Sequence, residues 1–198
     1  MTLKAENLAI VILLDELDLQ CQLAQKAIEW LRTAAEAWKN NVASEGKPLD
    51  IIANCIVCLS ASAAIHRLLE PGDRKGKRAA LTERRCRAVR RVLHYPALVQ
   101  VKKQGTRNSW EHMDERLDTV FSQGKCLSFA PVHLSPRAPN PGTFVHHHFD
   151  PANMAIKHGI DSIELNELYK ECDALREAIK FANLSLATGA DAPYLRND

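Results

Sequence analysis

The chain has 198 residues, 46% of them hydrophobic, with 26 Lys and Arg against 24 Asp and Glu and a formal net charge of +2. That length and apolar content suffice for a full core, and without a low-complexity tract or internal repeat one domain over residues 1–198 is expected. The near balance of charge excludes a bulk field aimed at a polyanion, so any nucleic-acid site has to be local.

A first helix is predicted from about Thr2 to about Val42, with Leu8, Ile12, Leu19, Leu23, Trp30, Ala34 and Trp38 as its apolar stripe. A turn at 44–48 ends it. Asp50 reads as the N-cap of a second helix that stops near Glu70-Pro71-Gly72. Residues 51–69 come closest to a membrane span, yet Asn54, Ser60, Ser62, His66 and Arg67 interrupt them, so they read as a buried central helix whose Ala, Ser and Cys content lets neighbours approach. Leu81 to His94 reads as a basic third helix. A fourth helix starts between Ala97 and Arg107, with Thr106 as a candidate N-cap. From 124 to about 160 prolines and short alternating segments predict loops with a small hairpin, Thr143–Phe149 and Met154–Lys157, joined by Asp150-Pro151-Ala152-Asn153. The last helix runs from Asp161 or Ser162 to Ala187, with Ile163, Leu165, Leu168, Cys172, Leu175, Ile179 and Leu186 inward. The expected fold class is therefore mainly α: a bundle of about five helices with a small hairpin and loop insertion at about 124–160.

Cys21, Cys55, Cys58, Cys86, Cys126 and Cys172 follow no framework spacing, and no export signal precedes them, so reduced thiols in a cytoplasmic protein are expected. Cys55 and Cys58 form a C-x-x-C, but inside an apolar helix with no second pair at zinc-ribbon distance it reads as core packing.

The chemistry-bearing stretch is Arg107-Asn108-Ser109-Trp110-Glu111-His112. Trp110, Met113, Leu117, Val120 and Phe121 recur at the three- and four-residue steps of an apolar helical face, which leaves Asn108 and His112, an i,i+4 pair, on the opposite side. The long stem of Arg107 brings its guanidinium to the same patch. The plain alternative is a solvated surface helix in which Arg107 pairs with Glu111. An Arg, a polar residue, three variable residues and a His resemble the R-x4-H signature of HEPN domains, all-helical modules many of which are RNases. The resemblance is close at Arg107, Asn108 and His112 and looser over residues 1–123 and the last helix.

What the resemblance implies is metal-independent RNA cleavage, of toxin or defence type, by a homodimer that needs no cofactor. In that chemistry the ribose 2'-hydroxyl attacks the adjacent phosphorus, His112 moves the proton, Arg107 holds the phosphoryl oxygens and Asn108 orients one of the two. One imidazole serves poorly as both acid and base, so the patch gains by facing its copy across a two-fold axis. The acids Glu111, Asp114, Glu115 and Asp118 oppose a phosphate backbone there. Ten Lys or Arg between Arg67 and Arg91 make a basic stripe that Lys102 and Lys103 extend toward the motif, and Arg84, Arg87, Arg91, Lys102 and Lys103 are the candidate RNA-binding residues. No metal is assigned. His146, His148 and Asp150, with His133 or His158, are the residues that would hold one if the strand alternation brought them together. The partners expected are RNA, a second copy, and an antitoxin or other protein, but no membrane. The competing function is a catalytically inactive module that binds nucleotide or RNA, or an interaction partner for another protein.

Overall fold

The computed structural model describes residues 5–40, 48–72, 77–95, 97–111, 128–158 and 161–188, with positions 115, 118, 120, 122 and 124 between them. Its helices are α1 (Ala5–Lys39), α2 (Pro48–Leu69), α3 (Lys77–Val92), α4 (Gln104–Glu111) and α5 (Leu165–Ala187). Its strands are β1 (Ser128–Leu134), β2 (Thr143–Asp150), β3 (Ala155–His158) and β4 (Asp161–Glu164), joined in one sheet in chain order. This corrects the expected fold class. The protein is α+β, because the stretch read as loops with a hairpin is a four-stranded mixed sheet. The hairpin itself lies where the alternation put it, as β2 and β3, and the flanking β1 and β4 complete the sheet.

The helical layer has α1 in the middle, with α2 along one flank and α5 along the other. Ile10, Leu14, Leu17, Cys21, Ala24, Ile28, Leu31 and Ala35 of α1 are buried, at alternating steps of four and three, the spacing that keeps one stripe turned toward packed neighbours. The stripe expected to face the core is thus on the outside: Leu8, Ile12, Leu19, Leu23, Trp30 and Trp38 are exposed, and only Ala34 of that set is buried. On α2, Cys55, Cys58, Ala61, Ser62 and Ala63 are buried, and Cys58 Sγ reaches the Ala24 carbonyl of α1 at 3.9 Å. Small side chains allow that approach. α2 is the one described helix long and apolar enough to cross a bilayer, but half of its apolar window is inside the molecule. It starts at Pro48, a residue suited to a first helical position, which puts Asp50 in the first turn instead of at the cap. The five described cysteines are free and buried, and the hydrogen bond with the neighbouring Cys172 thiol, followed by burial, pushes the Cys21 thiol well above its ordinary range; Cys126 lies outside the described residues.

β1 and β2 run parallel, with Ser128 opposite Thr143 and Leu134 opposite Phe149, and only residues 135–142 return the chain between them. Parallel neighbours are usually joined by a dozen or more residues. Here eight residues suffice, bending at 135–137 and closing in a turn at Pro141-Gly142, since a segment of that length can reach as far as about 26 Å at roughly 3.3 Å per residue. β2–β3 and β3–β4 are antiparallel. The row Leu134, Phe149, Ile156 and Ile163 runs across all four strands and faces the helices, with α2 over β1 and β2 and α4 over β3 and β4. The seven residues expected to face inward near the last helix are all buried, but Ile163 does so from β4, and the helix begins only at Leu165. Glu164 N donates to the side-chain carbonyl of Gln100 there, tying the strand to the segment ahead of α4.

Candidate functional site

The motif helix is fixed from both ends. Before it, the Glu171 carboxylate of α5 accepts three consecutive backbone N–H groups: Val99 N at 2.6 Å, Gln100 N at 2.8 Å and Val101 N at 3.0 Å. Lys103 Nζ donates to the Ser162 carbonyl at 2.8 Å. At the far end Trp110 is buried, its Nε1–H reaches the Lys157 carbonyl at 3.4 Å, and its ring meets His147 edge-on at 4.5 Å. Trp110 therefore faces inward, as its place on the apolar face predicts, and Asn108 is exposed. Arg107 is part of the helical backbone, but its side chain lies outside the described residues, as does the whole of His112. Glu115 and Asp118, two of the opposing acids, are helical and exposed. The N-cap reading of Thr106 is corrected, because the helix begins at Gln104 and Thr106 is fully buried within it, its Oγ1 without a hydrogen-bond partner. Gly105 fills the first turn, where a Cβ would fall 2.6 Å from Asp161 Oδ2.

The basic residues divide into two groups. Arg84, Arg87 and Arg91 are exposed and recur at steps of three and four, so they form one ridge along α3. Arg87 lies 3.5 Å from Glu83, an exposed pair of little energetic weight. Others of the stripe are used inside the fold: Arg85 donates to the Arg67 carbonyl at 2.9 Å, and Arg90 pairs with Glu70 at 2.7 Å. Glu70 also meets Lys102 at 3.4 Å, so one carboxylate ties α3 to the segment that enters α4. Lys102 is exposed, whereas Lys103 is half-buried with its ammonium on Ser162.

On the face of the sheet away from the helices, the register aligns His133, His148, Lys157 and Ser162, one from each strand. The returning segment crosses this row. His148 Nε2–H donates to the Ser135 carbonyl at 2.9 Å and His133 Nε2–H to the Arg137 carbonyl at 2.9 Å, and the two rings meet edge-on at 4.7 Å. Since carbonyls only accept, both protons sit on Nε2. Burial holds the His148 imidazole below its ordinary titration range, and His133 and Lys157 push in the same direction. Asp150 is fully buried and accepts from Ala152 N, Asn153 N, Asn153 Nδ2 and Lys157 Nζ, which closes the β2–β3 turn. Burial opposes its ionisation, but these donors outweigh burial and keep the carboxyl below the usual range. Between the prolines and this row lies a cleft of about 540 Å³ whose lining includes Pro136, Phe144, His148, Lys157 and Asp161.

In this geometry two of the three weak metal candidates, His148 and Asp150, are engaged within the fold. His148 is spent on Ser135 and Asp150 on its turn and Lys157. Among the described residues no group of three or more His, Cys, Asp or Glu is placed to hold a metal ion. The histidines of the row pin the proline-rich segment to the sheet. Sequence reasoning missed Lys157 and Ser162 as parts of the row. The hairpin register held the signal for Lys157, since a turn closed by Asp150 and Ala155 sets it opposite His148, whereas Ser162 was read as helix. Comparison of the chain with family models, with curated proteins and with solved structures finds no match in any of the three.

Proposed function

We propose that the protein acts on RNA in the cytoplasm, as a metal-independent endoribonuclease of toxin or defence type. Arg107, Asn108 and His112 form its cleavage site, and the α3 ridge holds the flanking phosphates. The observation that carries this reading is the exposed line of Arg84, Arg87 and Arg91 on α3, a helix that Arg90 joins through Glu70 to Lys102 at the entrance to α4. Exposed guanidinium groups in a row release counterions when they meet a phosphate backbone, and their planar forks match phosphate oxygens. The exposed Asn108 stands one helix turn from His112 in sequence, in keeping with an outward polar patch.

A second reading, a catalytically inactive RNA-binding module, draws on Glu115 and Asp118, exposed acids beside the motif that repel a phosphate. Both readings share the ridge and differ in whether Arg107, Asn108 and His112 cleave.

Titrating single-stranded RNA with salt tests the ridge. Replacing Arg84, Arg87 and Arg91 with Gln lowers the slope of log affinity against log salt by about two, at roughly 0.7 per phosphate contact. An unchanged slope removes α3 from the interface and with it the RNA reading.

A further inference from the structure

We infer that the outer face of α1 is a homodimer interface, in which two copies of the helix pack antiparallel across a two-fold axis near the level of residue 21. Five large apolar side chains lie exposed on one line of this helix: Leu8 at 49%, Ile12 at 58%, Leu19 at 48%, Leu23 at 40% and Trp30 at 36%. Their order is an eleven-residue repeat, with Leu8, Leu19 and Trp30 as one register and Ile12 and Leu23 as the other. Eleven residues make three turns at about 3.67 residues per turn, so the line drifts little along the axis and suits a nearly straight partner. From Leu8 to Trp30 it spans about 33 Å at 1.5 Å per residue. Monomeric proteins seldom leave so long an apolar stripe open to water. Apolar exposure is not confined to α1 either, since its flanking helices expose Ile56 and Val57 on α2 and Phe181 and Leu184 on α5.

The occupant is identified by how the stripe matches itself. An antiparallel copy centred at residue 21 sets Ile12 against the partner's Trp30 and Leu19 against the partner's Leu23, so four of the five large side chains meet a large partner, while Leu8 at the end of the line lies opposite the partner's Ala34. The same centring puts Asp15 beside the partner's Lys26, and by symmetry Lys26 beside the partner's Asp15. Both residues are exposed on the same edge of the stripe. A parallel copy would set Asp15 against Asp15 and Lys26 against Lys26, so the charges choose the direction. A lipid surface fits less well, because helices that lie on membranes are flanked by an excess of Lys and Arg. Here Asp15 and Glu16 stand beside Lys26.

The interface is independent of the RNA reading, since a dimer of inactive chains would form in the same way. Its test is the mass of the full chain in solution. In sedimentation equilibrium the wild type has twice the 22.1 kDa of one chain. Leu19→Glu with Leu23→Glu gives a monomer with unchanged far-ultraviolet circular dichroism, because both side chains are already outside the core. Asp15→Lys and Lys26→Asp each weaken association by about tenfold, from two lost pairs per dimer and the repulsion that replaces them. The two together restore it. A monomeric wild type, a dimer indifferent to Leu19→Glu with Leu23→Glu, a charge exchange that fails to restore association, or binding to anionic vesicles without self-association would each overturn the inference.

Discussion

Asp150 and His148 show how two residues placed among candidate metal ligands are used by the fold. Asp150 gathers four donors in a turn where Met154 takes a positive φ of 50°, a conformation that a side chain adopts only when its surroundings hold it there. The His148 imidazole is held below its ordinary range because burial, and after it the neighbouring His133 and Lys157, disfavour its charged form. A histidine whose folded pKa is depressed contributes stability above its unfolded pKa, near 6.5, and loses it as pH falls through the folded value. The free energy of unfolding should therefore drop as pH is lowered from 7 toward 5, and His148→Gln should flatten that drop. Urea unfolding at a series of pH values checks this. Equal slopes for the two proteins would mean that the imbalance resides elsewhere. His146, His147 and His148 read alike in the sequence, yet only the strand alternation separates them: His147 turns to Trp110 and His148 to the proline-rich segment.

Among the elements, α5 was legible almost whole. Its inward residues repeat at one helical spacing with polar residues between, so a single amphipathic face had a single solution. α1 was not, because it carries two apolar lines. The inner one follows steps of four and three, the outer one steps of four and seven, and nothing in one chain says which of them meets the core. β1 was lost to its proline and to a parallel pairing through a connection shorter than such pairings usually have. β4, four residues long, merged into the start of the helix that follows. α4 owes its position to a residue far along the chain, since Glu171 collects the N–H groups of Val99, Gln100 and Val101. Removing that acceptor leaves donors unsatisfied, two of them on buried residues. Glu171→Ala should lower stability by about 2–3 kcal/mol, the range for a hydrogen-bonded charged group. Hydrogen exchange should speed up first at 99–101 and in α4. Loss spread evenly over the molecule would show that this carboxylate does not hold α4 in particular.

Across the whole molecule, the helices of the layer follow from the sequence although the facing of α1 does not, and the sheet changes what the proposed site stands on. α4 is clamped between β3 and β4 on one side and the Glu171 carboxylate on the other, so Asn108 projects from a helix held at both ends. The basic ridge was legible because exposed arginines on a short, polar helix repeat at its own period. The use of Arg90 inside the fold was not, because Glu70 meets it only after the end of α2 packs on α3. The proposed cleavage depends on Arg107 and His112, and RNA chemistry distinguishes a nuclease from an inactive binder. The direct measurement is incubation of the purified protein with end-labelled RNA in excess EDTA, followed by analysis of the new ends. The wild type should leave 2',3'-cyclic phosphate ends, and Arg107→Ala and His112→Ala should each lose at least about a hundredfold in rate, the contribution of a positioned acid–base group or oxyanion contact. Intact RNA with the wild type, or cleavage that both variants retain, would contradict the proposed cleavage.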